Sequence, residues 1–191
     1  MMKRIETKIE GVYIIESDCF GDHRGWFMET YSKQKFHELG ILNDFVQDNL
    51  SYSAIKGTFR GLHYQRYPFA QAKLVRCIKG EIIDVAVDLR KGSPTYGQWT
   101  SCVLSEENKK MFFLPKGMAH GFLTLSDEVL FQYKCDNFYH KEAEGAIRYD
   151  DPDLKIDWGS LSDVEPILSD KDQAAPSFKE CNANFVYETN S

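Results

Sequence analysis

Between Lys56 and Arg76 the chain sets a histidine, His63, and a lysine, Lys73, into sequence that otherwise alternates like a β-strand (Lys-Gly-Thr-Phe-Arg-Gly-Leu-His-Tyr-Gln-Arg-Tyr-Pro-Phe-Ala-Gln-Ala-Lys-Leu-Val-Arg). Strict alternation puts Phe59, Gly61, His63 and Gln65 on one face and Arg60, Leu62 and Tyr64 on the other. After a loop around Tyr67-Pro68, Lys73 opens a second strand. An imidazole that titrates near neutral pH and a cation on a neighbouring strand are what proton transfer beside a carbonyl requires. Taken alone, the stretch is equally compatible with a surface hairpin that carries a chance His and Lys.

Other residues add to the same chemistry. Asp84 interrupts the apolar run Ile82-Ile83-Asp84-Val85-Ala86-Val87. A buried carboxylate needs a cation or donors, and Lys73 is the candidate partner. A second histidine, His120, follows the turn at Pro115-Lys116-Gly117. Tyr133 shares a strand face with Phe131 and Cys135, where it serves either a pocket or the core with its hydroxyl bonded to backbone. Gln47 and Asn49 point the same way from one strand, placed to grip a ligand edge or to solvate a strand end. Arg24 and Glu29 flank a turn at Phe20–Gly25, where an exposed surface pair is the competing reading.

The elements that must position these groups are mostly strands. Lys8–Glu16 reads as the first strand, Trp26–Thr30 as the second, and Phe45–Asn49 as another. Lys79-Gly80, between Leu74–Ile78 and Glu81–Leu89, reads as a hairpin turn. One helix is expected from Ser32 to Leu39, with Ser32 as N-cap, Tyr31 and Phe36 as a hydrophobic staple, and Gly40 as the stop. The acidic, turn-rich segment from Tyr149 onward reads as a wrapping tail. About ten short strands and one small helix in 191 residues predict a single all-β domain, a sandwich or barrel.

Composition narrows the function. A net charge of -6 argues against sequence-independent nucleic-acid binding, so an anionic ligand would have to be held by a local cluster of Arg and Lys. Five widely spaced cysteines without a CxxC read as reduced thiols of a cytoplasmic protein. Neither a signal peptide nor a membrane-length apolar run is expected.

A β-barrel with two interior histidines and a Pro-x-Gly-x-x-His turn resembles the cupin jelly rolls. His63 is followed by Tyr64-Gln65, so the His-x-His pair with which many cupins hold a metal is missing, and chemistry without a metal is expected. The chain more closely resembles the dTDP-4-dehydrorhamnose 3,5-epimerase family. The resemblance runs through Phe20-Gly-Asp-His-Arg-Gly, Phe45-Val-Gln-Asp-Asn, Arg60-Gly-Leu-His-Tyr-Gln, Lys73-Leu-Val-Arg and Asp84-Val-Ala-Val-Asp. It continues in Pro115-Lys-Gly-Met-Ala-His-Gly-Phe, Glu144-Gly and Leu168-Ser-Asp-Lys-Asp.

This resemblance implies a cupin-like jelly-roll β-barrel over residues 1–191, and a homodimer that epimerises a dTDP-linked 4-keto-6-deoxy sugar at C3 and C5 without a cofactor. By the same resemblance His63 is the base, Asp172 its orienting carboxylate, Tyr133 the acid on the opposite face, and Lys73 the enolate stabiliser helped by His120. Arg24, Glu29, Gln47, Asn49, Arg60, Glu144 and Lys171 fall at nucleotide- and phosphate-contacting positions, and Tyr139 at that of an aromatic stacked on thymine. Arg24 and Glu29 are expected to act on the partner subunit's site. Ala72 and Phe59 depart from the Gly and Leu usual in the family. The alternatives are a relative that inverts only C3 and a non-catalytic cupin that binds nucleotide sugars.

Overall fold

The structure, a computed structural model, describes residues 1–159 and 165–188. It is mostly β, with thirteen strands and two short α-helices among the described residues. One antiparallel sheet runs in the order β1 (Lys3–Glu6), β2 (Tyr13–Glu16), β10 (Met111–Leu114), β7 (Lys73–Lys79), β12 (Val129–Cys135) and β5 (Gln47–Ser53). The other runs β13 (Glu144–Ala146), β6 (Phe59–Gln65), β11 (Met118–Thr124), β8 (Glu81–Asp88) and β9 (Trp99–Ser105). A separate hairpin pairs β3 (Cys19–Asp22) with β4 (Gly25–Met28).

The sheets pack face to face, because one core cluster takes Val75, Phe112 and Phe131 from the first and Ile82, Ala86 and Phe122 from the second. The run Ile82–Val87 is apolar on both faces for a physical reason. Ile82 and Ala86 point between the sheets, while Ile83, Val85 and Val87 point outward beneath the C-terminal tail, where Leu154, Trp158 and Phe185 cover them. Asp84 shares the inward parity.

Lys79-Gly80 is not a hairpin turn. The strands on either side belong to different sheets, so Gly80 (φ +80°) turns a corner between them. From β5 to β8 the chain crosses between sheets at every connection, and of the links from β5 to β13 only β8–β9 stays within one sheet. The strand expected from Lys8 starts only at Tyr13, since Thr7–Gly11 forms a turn, and β1 lies before it.

The parity expected for Phe59–Gln65 also fails. On β11, His120 lies opposite His63 but Phe122 lies opposite Arg60, so β6 carries one extra residue between them. That bulge brings Arg60 and His63 onto one face with Phe122 and His120, and leaves Phe59, Leu62 and Tyr64 in the outer core. Gly61 allows it: its φ is +140°, and a Cβ there would lie 2.4 Å from Gly121 Cα. Gly61→Ala is therefore expected to destabilise the fold by roughly 3 kcal/mol, measured by chemical denaturation.

Helix α1 (Lys33–Glu38) forms as its caps dictate. Ser32 accepts from the Lys35 N–H, the Tyr31 and Phe36 rings meet at 5.0 Å, and Gly40 follows with φ +81°. Phe36 is fully buried on the outer face of the six-stranded sheet with Leu74, Met111 and Phe113, a contact worth about 2 kcal/mol. The second helix, α2 (Asp170–Gln173), was not expected. It sits in the tail, which is tied to the start of β6 by Phe59 N–H donating to Ile167 O at 3.0 Å.

Candidate active site

The bulged strand and the tail helix meet at a His–Asp pair. His63 Nε2 lies 2.6 Å from Asp172 Oδ1, and the Asp172 side chain is only 4% exposed against 32% for His63. A carboxylate at this distance fixes the proton on Nε2 and leaves Nδ1 as the basic nitrogen. Burial alone would raise the Asp172 carboxyl, but the hydrogen bond and charge of His63, with Ser169 and Lys171, hold it below the usual carboxylate range. Its contribution to stability is thus present above pH 3.8 and lost as the pH falls through the lower folded value. Asp172→Asn is expected to flatten that acid loss, read as the pH dependence of denaturation midpoints.

The facing sheet supplies the other wall. Lys73 and Cys135 are direct cross-strand partners, and Tyr133, two residues before Cys135, shares their inward face. Lys73 Nζ lies 5.7 Å from the centre of the Tyr133 ring. Burial lowers the Lys73 pKa, against the opposing pull of Cys135, Asp84 and Glu144. Burial raises the Tyr133 hydroxyl, so it stays protonated through the neutral range, and pushes the Cys135 thiol up to about 11.

Asp84 does not hydrogen-bond Lys73 as its sequence position suggested. Its Oδ2 instead lies 2.9 Å from His120 Nε2, because the β8–β11 register sets Asp84 diagonally beside His120. Oδ1 has no hydrogen-bond partner among the described residues. Burial raises the Asp84 carboxyl, opposed by His120 and by Lys73, which acts on it through charge alone.

These groups line a cavity of about 400 Å³ that holds His63, Asp172, Lys73, Tyr133, His120 and Arg60, with Phe122 and Phe131 as an apolar wall. A second cavity of about 290 Å³ shares His63, Lys73 and Tyr133 and extends to Gln47, Asn49, Tyr139 and Glu144. Gln47 donates to Asn49 at 3.0 Å, Arg60 donates to Ser53 Oγ and Tyr52 O, and Lys171 pairs with Glu144 at 2.8 Å. Tyr139 is exposed at the rim. Arg24 and Glu29 lie outside both cavities of this chain: Arg24 is paired with Asp22 on the exposed β3–β4 hairpin, and Glu29 with Lys35. Of the two departures, Phe59 lines the larger cavity and packs against Trp158, whereas Ala72 is buried in the core beneath α1.

Ser169 escaped the sequence reading. It caps α2 and its hydroxyl donates to Asp172 Oδ2 at 2.9 Å. The signal was present in Ser169-Asp-Lys-Asp172, a Ser followed three residues later by an acid, which marks a helix start. Chemically the arrangement offers an imidazole on one wall, a protonated phenol on the facing wall, and a lysine beside the phenol. That set can remove a proton α to a carbonyl, hold the enolate, and return a proton to its other face.

Residues 6–180 match the family model described as dTDP-4-dehydrorhamnose 3,5-epimerase. A dTDP-4-dehydrorhamnose 3,5-epimerase from Methanothermobacter thermautotrophicus is 50% identical over 183 residues, covering 96% of this chain and 96% of its own. The crystal structure of dTDP-6-deoxy-D-glucose-3,5-epimerase from Legionella pneumophila, in complex with dTDP-4-keto-L-rhamnose, superposes with a TM-score of 0.88 at 49% identity over 94% of each chain. A 3′-monoepimerase from Streptomyces bikiniensis, in complex with dTDP-quinovose, gives a TM-score of 0.83 at 36% identity, covering 90% of this chain and 85% of its own. With both the sequence and the two-sheet architecture matched over nearly their whole length, this chain belongs to the dTDP-4-dehydrorhamnose 3,5-epimerase family.

Proposed function

We propose that this protein inverts C3 and C5 of dTDP-4-dehydro-6-deoxy-D-glucose, giving dTDP-4-dehydro-L-rhamnose, with His63 as base and Tyr133 as acid. One observation carries the assignment of roles: His63 and Tyr133 line one cavity from facing sheets, with Lys73 beside Tyr133. At each carbon His63 Nδ1 takes the α-proton, and the C–H electron pair moves into the enolate whose oxygen, at C4, faces Lys73. Tyr133 then returns a proton from the other side, inverting the centre. Before the second carbon reacts, the imidazolium gives its proton to solvent, the phenolate takes one back, and the sugar ring turns to present that carbon to His63. The 4-keto group is the electron sink, so electrons balance within the sugar. Asp172 holds the imidazolium formed in each step. His120, backed by Asp84, adds a second polar group near the enolate.

Arg60 and Lys171 are the cations for the phosphates, Gln47, Asn49 and Glu144 are polar contacts of the nucleotide, and Tyr139 is the ring that stacks on its base. The test is NMR analysis of the product: the doubly inverted sugar is expected, and a product inverted at C3 alone would replace this assignment with the monoepimerase activity.

Residues 1–191 form one domain in this proposal, a cupin-like jelly roll in the cytoplasm. The sheet-to-sheet crossings of β5–β8 and the tail packed across the outer face support the jelly roll. Among the described residues no helix is long and apolar enough to cross a membrane. A homodimer completes the site. The β3–β4 hairpin exposes Phe20, Trp26 and Phe27 at 65%, 59% and 69%, far more apolar surface than two short strands keep in water, and it carries Arg24 away from its own cavity. Sedimentation is expected to give twice the chain mass, and Arg24→Ala is expected to weaken nucleotide binding without changing that mass. A monomer with full activity would contradict this.

A further inference from the structure

Asp172 is held at both oxygens. His63 Nε2 engages Oδ1 at 2.6 Å, and the Ser169 hydroxyl donates to Oδ2 at 2.9 Å. The backbone N–H of Asp172 in turn donates to Ser169 Oγ at 3.2 Å. Only this last bond belongs to helix capping. The hydroxyl-to-carboxylate bond is additional, and it bears on the one torsion that sets where Oδ1 points. That torsion is broad and roughly two-fold for an aspartate with no fixed partner. Ser169 also lines the cavity that holds the reacting groups.

We propose that Ser169 is a positioning residue for proton abstraction. Its hydroxyl locks the Asp172 carboxylate so that Oδ1 keeps the His63 Nε2–H and leaves Nδ1 facing the substrate. Donation runs inward from both sides, Ser169 O–H to Oδ2 and His63 Nε2–H to Oδ1. When Nδ1 takes the α-proton, no proton passes through Ser169, and its part is to hold geometry while the imidazolium exists. The inference rests on His63 being the base of the epimerisation proposed above.

The experiment pairs kinetics with NMR of the His63 Nε2–H proton in ¹⁵N-histidine-labelled protein without substrate, assigned by its loss in His63→Asn. Ser169→Ala is expected to lower kcat about tenfold, the loss of roughly one hydrogen bond to a charged group, with KM changed less than twofold. The Nε2–H resonance should shift and broaden as the bond to Asp172 loosens. Ser169→Thr keeps the hydroxyl and should retain both signals. Ser169→Gly, which largely preserves the cap, should still behave like Ser169→Ala. In an Asp172→Asn background, Ser169→Ala should cost little more, because the two act as a unit.

A Ser169→Gly variant with unchanged kcat and resonance would reduce Ser169 to a helix cap. A full additive loss in the Asp172→Asn background would make it a substrate contact. The resonance is read without turnover, so a missing epimerase activity and a missing role for Ser169 are separate results.

Discussion

His63→Asn is expected to lower kcat by roughly 10²–10⁴-fold, the range set by losing a general base, with KM little changed. Asparagine is the informative substitution because its amide, shorter than the ring by about one bond, keeps a donor aimed at Asp172 Oδ1 that one water in the vacated ring space can link to the carboxylate. The buried carboxylate is therefore not stranded, and the protein should stay folded. His63→Ala would mix two effects, the missing base and an unpaired Asp172 whose side chain is 4% exposed. Circular dichroism and the denaturation midpoint of His63→Asn should match the wild type while turnover collapses. Substantial turnover in a folded His63→Asn would move the base elsewhere.

Lys73→Met is expected to cost about 10²–10³-fold in kcat, comparable to removing one donor from an oxyanion hole. The chain length is nearly kept, so the loss reports the charge. The same lysine should set the alkaline limit of the reaction. Burial holds its pKa below the ordinary 10.5, so as the pH rises the ammonium is lost earlier than it would be on an exposed lysine, and the rate falls with it. Burial moves the Tyr133 hydroxyl the opposite way, above 10.0, so the two groups are told apart by replacing the lysine. Lys73→Arg keeps a permanent charge in a different shape. It should be slower at neutral pH yet lose the alkaline fall attributable to Lys73. An unchanged alkaline limb in Lys73→Arg would show that loss of the Lys73 charge does not set it.

These predictions depend on geometry that was only partly legible in the chain. Helix α1 was readable because Ser32, Tyr31, Phe36 and Gly40 are local signals, each acting within a turn of the next. The shared face of Phe131, Tyr133 and Cys135 followed from alternation, which β12 keeps through all three residues. Lys79-Gly80 misled because turn chemistry states that the chain bends, not which sheet the next strand joins; that depends on core contacts made far away in sequence.

The bulge in β6 was invisible for a related reason. Gly61 is required by its contact with Gly121, sixty residues on, and one extra residue there reversed the parity of Arg60 relative to His63. Strand β13 is three residues with no β-propensity of its own, and Gly145 is there because any Cβ would fall 2.2 Å from the Tyr64 ring. The His63–Asp172 pair spans 109 positions, and neither local pattern nor spacing joins such residues.

Proton NMR of dTDP-4-dehydro-6-deoxyglucose incubated with the protein in D₂O decides whether one base works at two carbons. The α-protons removed by His63 exchange with solvent, and Tyr133 returns deuterium, so the product should carry deuterium at both C3 and C5. The label should be lost at both positions in His63→Asn. Deuterium at C3 alone, or exchange at either carbon that survives in folded His63→Asn, would contradict a single His63 base serving both inversions.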